Sequence, residues 1–139
     1  MRFKVDGVEY VLEFQHAKKK VRVMREGISR MVESRYPYTT TVIRKVVEGK
    51  RREEWPLIYR HEVGCCRLDS YSKQTGNLFA LKGLTNKIKP EVSWHFIRAM
   101  WDTYNCRREA AMAAQAKAEA AKLAKTAMLL DPYRLSEIG

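Results

Sequence analysis

The first 14 residues alternate between apolar and polar side chains, which predicts a β-hairpin. Phe3 and Val5 alternate with charged residues up to the dipeptide Asp6-Gly7, which is a strong signal for a two-residue turn. After this turn the alternation resumes, with apolar side chains at Val8, Tyr10, Leu12 and Phe14. Each half of the hairpin is therefore expected to have one apolar face.

Two more strands are predicted before residue 67. Residues 38–47, YTTTVIRKVV, are rich in β-branched side chains, and residues 55–66, WPLIYRHEVGCC, have Pro56 only near their beginning. The connection between them is short, so we expect them to pair antiparallel. Residues 16–36 are ambiguous, because their apolar residues lie at helical spacing while residues 21–23 alternate as in a strand. For this segment we expect an irregular or partly helical excursion that carries many cations.

From Gly76 onward the spacing of apolar residues becomes helical. We expect a short helix that ends near Thr85-Asn86, and Pro90 fits the first turn of the next helix. This second helix has a wide aromatic face and continues into an alanine- and lysine-rich segment, so it would be roughly 60 Å long. A helix of that length either breaks near Asn105 or packs against another subunit.

Strands followed by helices indicate an α+β fold, with an N-terminal antiparallel β-sheet and C-terminal helices, the last one long and alanine-rich. The 139 residues fit a single domain, 1–139, in which residues 1–66 are mainly β-sheet and residues 76–131 are helical. No apolar run has the length of a membrane span, and the N-terminus lacks the apolar region of a secretory signal peptide. We therefore expect an intracellular protein that does not enter a membrane.

The charge balance points to an anionic partner. The net charge is +11, and residues 1–106 carry +9 of it. These residues contain three basic clusters, and the first of them, at residues 18–20, is followed by Arg22 and Arg25. A phosphate-bearing partner is a reasonable hypothesis. If that partner is DNA or RNA, the candidate contacts are Lys18, Lys19, Lys20, Arg44, Lys50, Arg51 and Arg52.

Motifs for catalysis or metal binding are not evident in the sequence. Cys65 and Cys66 are adjacent, so on a strand they would point to opposite faces and would not chelate one metal ion. The sequence has no nucleophile elbow, no HExxH motif and no phosphate-loop glycine pattern. We expect no metal, no cofactor and no enzymatic activity. The one enzymatic alternative is a cysteine nucleophile paired with His61.

The stretch GCCRLDSYSKQTGNLFALKGL, residues 64–84, is predicted to be a strand-loop-helix junction. Asp69 can cap a turn and Gly76 can adopt a positive φ. The residues that follow the loop lie at a helix N-terminus, where free N–H groups and the helix dipole attract anions. The junction is therefore either a connection that caps itself, which is the simpler interpretation, or a phosphate-binding loop with Lys73 as a mobile charge.

The segments VGCCRLDSYSKQTGNLFALKGL and FIRAMWDTYNCRR resemble a family of small bacteriophage proteins. The resemblance covers about residues 7–108, and this chain has Asn77 and Gly83 where the family pattern has arginines. Among phage families with a β-sheet followed by helices, this chain resembles the anti-Thoeris family in size and element order. Anti-Thoeris proteins are oligomeric sponges, which means that they bind and sequester cyclic ADP-ribose-type immune signals. The matching positions are Gly64, Cys66, Asp69, Tyr71, Lys73, Gly76, Ala80, Leu81, Trp101 and Tyr104.

The resemblance implies a phage counter-defence protein in the cytoplasm of an infected bacterial host. It would be a homo-oligomer that sequesters a phosphate-containing cyclic nucleotide, with Trp101 or Tyr104 stacking on a base. Aromatic residues at helical spacing are also typical of a core. The ligand-binding residues expected for this function are Arg67, Asp69, Lys73, Asn77, Arg98, Trp101, Tyr104 and Arg108.

Two other functions remain open at this point. One is a basic phage protein that binds DNA or RNA through the basic clusters, with an affinity that falls steeply as salt rises. The other is a protein inhibitor of a host defence complex that acts through the long helix.

Overall fold

Six β-strands precede two α-helices in the computed structural model, which describes residues 1–64 and 72–130. The predicted α+β fold, with an antiparallel sheet first and a long helix last, is confirmed. The helices are α1 (Lys73–Ile88) and α2 (Trp94–Leu130), and a 3₁₀ turn lies at Arg52–Glu54. The strands are β1 (Arg2–Val5), β2 (Val8–Ala17), β3 (Lys20–Arg25), β4 (Ile28–Glu33), β5 (Tyr38–Lys45) and β6 (Leu57–Val63).

The chain divides into two compact units, Met1–Trp101 and Asp102–Gly139. The first unit holds the six strands, α1 and the first turns of α2, and the described part of the second unit is the rest of α2. The single domain over residues 1–139 stays a prediction. Within the described ranges, no helix is both long enough and apolar enough to cross a membrane.

Four of the strands form one antiparallel sheet in the order β1-β2-β5-β6. The turn between β1 and β2 is Asp6-Gly7, with φ values of 52° and 79°, so the predicted hairpin is confirmed. These left-handed values are the ones that a two-residue hairpin turn requires. The predicted antiparallel pairing of β5 with β6 is confirmed as well.

The expectation of an irregular or partly helical segment at residues 16–36 is wrong. β2 extends to Ala17, and β3 and β4 pair with each other as a separate two-stranded sheet. Glu26 and Gly27, with φ values of 52° and 76°, form the two-residue turn between them. The helical spacing of the apolar residues in this segment was misleading. These residues lie on both faces of the hairpin, with Ile28 on one face and Met24 on the other.

The core lies between one face of the four-stranded sheet and the helices. α1 packs against β5 and β6. Phe96, near the start of α2, makes edge-to-face contacts with the rings of Phe3 and Tyr10, at centroid distances of 5.4 and 5.1 Å. Fully buried side chains of this core include Leu12, Ile43, Leu81, Leu84, Ile88 and Met100.

Two glycines of α1 allow it to approach the sheet closely. A Cβ atom at Gly76 would overlap Thr39 Oγ1 and lie 3.3 Å from Thr39 Cβ, and one at Gly83 would overlap the ring of His61. The prediction of a positive φ at Gly76 is wrong, because this residue lies inside α1. The close approach to β5, rather than a turn, is what requires glycine there.

α1 is longer than the sequence predicts. It begins at Lys73, because the Ser72 hydroxyl accepts a hydrogen bond from the Thr75 N–H at 3.3 Å and so caps the helix. It ends at Ile88, about one turn beyond the predicted end at Thr85-Asn86.

α2 begins later than predicted. Pro90 lies in the turn that precedes the helix and not in its first turn. At the start of α2 the Ser93 hydroxyl oxygen accepts a hydrogen bond from the Phe96 N–H at 3.4 Å. Of the two alternatives left open for this helix, the break near Asn105 is not observed, because α2 is unbroken from Trp94 to Leu130.

Candidate nucleic-acid interface

The hairpin of β3 and β4 holds much of the positive charge of the chain. We call residues 18–35 the β-arm; they contain seven Lys or Arg and two Glu, so the arm has +5 of the net charge of +11. None of its residues is buried: Val21 and Ser34 are half-buried and the others are exposed. Among the described strands, β3 and β4 pair only with each other. The arm is therefore a cationic ribbon whose two faces are open.

Lys19 fixes the base of the arm to the sheet. Its ammonium group forms an ion pair with Glu62 of β6 and lies 5.5 Å from the centre of the Tyr38 ring. The Lys19 N–H donates to Ser34 Oγ at 3.1 Å, which joins the two sides of the arm. Lys19 was a predicted nucleic-acid contact, but its charge is already paired within the fold.

The Glu62 carboxylate, at the base of the arm, interacts with Thr40 and Arg60 as well as with Lys19. Thr40 Oγ1 donates to Glu62 Oε2 at 3.2 Å, and the Arg60 guanidinium lies 3.2 Å from the same oxygen. Burial by itself raises the pKa of Glu62. The hydrogen bond and charge of Lys19, the Thr40 hydroxyl and the charge of Arg60 outweigh burial, so the pKa lies below its ordinary value of 4.5.

Glu62→Gln is expected to destabilise the protein by about 1 kcal/mol at neutral pH, because charge-assisted hydrogen bonds are lost. A carboxyl group with a lowered pKa stabilises the fold above its ordinary pKa, and this contribution is lost as the pH falls through the folded-state value. The difference in Tm between wild type and Glu62→Gln should therefore be present at neutral pH and shrink below pH 4.5. Thermal melts from neutral pH to about pH 3 measure it.

Glu9→Gln is the matched control for this prediction. Glu9 pairs with Arg2 at 3.4 Å, and its side chain is more exposed than that of Glu62, with 31% against 17%. An exposed ion pair contributes little to the free energy of unfolding, so the Tm of Glu9→Gln should stay close to that of wild type. If the Tm difference for Glu62→Gln does not change with pH, Glu62 does not act through its charge.

The two faces of the β-arm carry different side chains, because directly paired residues share a face. The valine face consists of Val21, Val23, Arg25, Ile28, Arg30 and Val32. The methionine face consists of Lys20, Arg22, Met24, Ser29, Met31 and Glu33. On the valine face, Val23 is 38% exposed and Ile28 is 63% exposed. Both faces thus combine cations with accessible apolar groups.

Lys50 and Arg51 lie at the end of the sheet opposite the arm. The arm leaves the sheet at the pair Ala17–Tyr38, whereas Lys50 and Arg51 follow the other end of β5 at Lys45. The eight residues of β5 separate the two ends by roughly 25 Å. Both side chains are exposed.

Arg44 and Arg52, two more predicted contacts, are engaged within the fold. Arg44 Nη1 donates to the Trp55 carbonyl oxygen at 3.0 Å, and Arg52 Nε donates to Glu13 Oε1 at 2.5 Å. Three of the seven residues predicted to contact nucleic acid lie on the arm: Lys18, Lys19 and Lys20. Lys18 and Lys20 are exposed and form no ion pair with the described part of the chain, whereas Lys19 is paired with Glu62.

Sequence reasoning missed further cations of the arm. Arg30 pairs with Val23 across the hairpin, and Arg35 follows β4 near the base, where its guanidinium lies 5.4 Å from the ring centre of Tyr36. Neither was proposed as a contact, because residues 16–36 were not recognised as a hairpin. The available signal was Gly27 with alternating side chains before and after it.

The residues predicted to bind a nucleotide begin near the N-terminus of α1. Arg67 and Asp69 lie outside the described residues. Lys73 is exposed in the first turn of α1. Asn77 lies one turn later, where its Oδ1 is 2.7 Å from His16 Nε2, so its side chain is already hydrogen-bonded within the fold.

The other predicted nucleotide-binding residues are on α2. The indole N–H of Trp101 donates to Thr85 Oγ1 at 2.9 Å, about 12 Å farther along α1 than Asn77. Arg98 is exposed in the first unit. Tyr104 and Arg108 belong to the second unit, and only 5% of Tyr104 is exposed, which leaves little ring surface for stacking on a base.

No group of His, Cys, Asp and Glu suited to a metal ion occurs within residues 1–64 and 72–130. Cys65 and Cys66 lie outside these ranges, and Cys106 is an exposed free thiol. The chain matches no protein-family model, no curated protein and no solved structure. The resemblance to phage proteins, the cytoplasmic location and the homo-oligomer therefore stay predictions.

Proposed function

We propose that this protein binds nucleic acid through the β-arm. The observation that supports the proposal is the β-arm, residues 18–35, which has a net charge of +5 and no buried residue. A two-stranded hairpin is only marginally stable by itself in water, because neither of its faces is covered. The arm therefore gains stability from a partner that covers one of its faces.

The charge of the arm favours a polyanion as this partner. Two arms that each have a net charge of +5 repel one another, so the arm of a second copy is a poor partner. Four cations of the β-arm, Lys20, Arg22, Arg25 and Arg30, are spread along six residue pairs, roughly 20 Å of ribbon, on both faces. The regular phosphates of a nucleic-acid backbone match such a distribution better than a single phosphate group does.

The affinity for nucleic acid is expected to fall steeply as salt rises. If about four cations each neutralise one phosphate, the logarithm of the association constant falls against the logarithm of salt concentration with a slope of roughly −4. Fluorescence anisotropy with a labelled duplex at several NaCl concentrations measures this slope. If no duplex or single strand binds even at about 50 mM NaCl, the proposal is wrong.

The predicted nucleotide-sequestering function gives a different result in the same measurement. A small nucleotide has few phosphates, so its binding depends only moderately on salt. Native mass spectrometry of the untreated protein, before and after heating, would then detect the release of a nucleotide-sized anion. Such a release, together with a failure to bind DNA or RNA, would favour the sponge over the proposal made here.

A further inference from the structure

We infer that the ligand of the β-arm is B-form duplex DNA, and that the arm enters the major groove with its valine face toward the bases. This inference rests on the proposed nucleic-acid function and adds the class of ligand, the groove and the face. The shape of the arm and the side chains that it lacks support this choice.

Single-stranded nucleic acid fits the arm poorly. Proteins that bind single strands stack successive bases on aromatic side chains within a basic groove. Residues 18–35, all of which the structure describes, contain no Phe, Tyr or Trp. The cations of the arm attract the backbone of a single strand, but its unpaired bases have no ring to stack on.

The dimensions of the arm favour B-form DNA. Two strands about 5 Å apart, with side chains at both edges, form a ribbon of roughly 10–12 Å, which is close to the width of the B-form major groove and well above that of the minor groove. In A-form RNA the major groove is too deep and narrow for side chains to reach the bases. A duplex of DNA is therefore the nucleic acid that admits the arm.

The valine face has the groups that the floor of the major groove recognises. Val23 and Ile28 are accessible and β-branched, and the 5-methyl group of thymine is an apolar contact present in the major groove only. Arg25 and Arg30 lie on the same face, beside Ile28 and Val23 respectively. A guanidinium group can donate two hydrogen bonds to guanine O6 and N7.

The side chains of the methionine face fit the side of the arm that points away from the bases when the arm lies in the major groove. Lys20 and Arg22 are long and flexible cations that reach phosphates at the rim of the groove. Glu33 is paired with Lys20 across the hairpin and carries a negative charge near the base of the arm, away from the tip at Glu26-Gly27. With the valine face inward, apolar groups are removed from water and the cations of the other face stay near phosphates.

The first test compares nucleic acids of equal length and label. The full-length protein is titrated at one salt concentration with duplex DNA, duplex RNA and single-stranded DNA. Duplex DNA is expected to bind at least about tenfold more tightly than either of the others, because it alone admits the arm. Equal affinity for all three would overturn the inference while leaving the proposed function intact, and no binding to any would refute both.

The second test replaces every thymine of an alternating A·T duplex with uracil, which removes methyl groups from the major groove without changing charge. Each methyl group that the valine face buries contributes about three- to fourfold, so the affinity of the wild-type protein should fall at least about fivefold. In Val23→Ala/Ile28→Ala this response to uracil should disappear. In Met24→Ala/Met31→Ala, the matched variant of the other face, the response should persist.

If either double variant fails to fold, the response of the wild-type protein to uracil still tests whether the arm contacts the floor of the major groove. If the wild-type protein binds the thymine and uracil duplexes equally, the valine face does not contact the floor of the major groove. If only Met24→Ala/Met31→Ala loses the response, the opposite face is the one that enters the groove. Either result would overturn the inference, although the protein would still bind DNA.

Discussion

Arg22→Glu/Arg30→Glu is expected to weaken binding to duplex DNA by about a hundredfold at 0.1 M salt. Arg22 lies on the methionine face, and the loss of its phosphate contact removes about 0.9 of a logarithmic unit at 0.1 M salt. Arg30 lies on the valine face, and the loss of its contact with the groove floor costs about 1–3 kcal/mol. Arg22 and Arg30 lie on opposite faces of the β-arm and both are exposed, so the fold is unaffected. Fluorescence anisotropy with the same labelled duplex measures the loss, and the slope against salt should become less steep by about one, since of these two residues Arg22 is the one that contacts a phosphate.

Lys50→Glu/Arg51→Glu is the matched control, because it changes the net charge by the same amount. Its two side chains are exposed at the other end of the sheet, roughly 25 Å from the arm and beyond the screening length at 0.1 M salt. We expect an effect below about fivefold, mainly through long-range attraction. If both double variants lose the same affinity, binding depends on net charge and not on the arm.

Gly76→Ala is expected to destabilise the protein by about 1–2 kcal/mol. In an exposed helix the change would stabilise by up to about 1 kcal/mol, because alanine is the better helix former. At this position the new Cβ overlaps Thr39 Oγ1, and Thr39 is 2% exposed on a buried strand, so neither side can move freely. Overpacking therefore outweighs helix propensity. Chemical denaturation of wild type and variant gives the difference in free energy of unfolding.

Two further variants separate overpacking from helix propensity. Thr39→Ala removes the oxygen that Gly76→Ala would meet, so the double variant should lose less stability than the two single losses added together. Gln74→Ala, at an exposed position of the same helix, should leave stability unchanged or raise it slightly. Simple additivity of Gly76→Ala and Thr39→Ala would show that the overlap is relieved elsewhere.

Local sequence patterns correctly predicted most of the secondary-structure elements of the fold. Asp6-Gly7 between two alternating segments predicted the first hairpin correctly, because both residue types accept the left-handed conformation that the turn needs. The second hairpin uses Glu26-Gly27, and glutamate rarely has a positive φ, so the same turn was not recognised. The long helix was predicted correctly because alanine and lysine favour helix at every position.

The candidate site was harder to predict, because it depends on contacts between residues distant in sequence. Lys18, Lys19 and Lys20 look alike in the sequence, yet Lys19 is paired with Glu62, 43 positions later. The role of Gly76 likewise depends on Thr39, with which it shares no local pattern. Charge composition predicted an anionic partner, but only the pairing of the strands distinguishes accessible cations from those engaged in the fold.

The β-arm is an insertion within the connection of a larger hairpin. Its stem is the β2–β5 pair, whose last partners before the arm are Ala17 and Tyr38. The hydrophobic core needs this stem but uses no buried side chain from residues 18–35. Substitutions in the arm beyond Lys19 and Ser34 at its base can therefore accumulate at little cost to folding, so recognition and stability are free to evolve under separate selection.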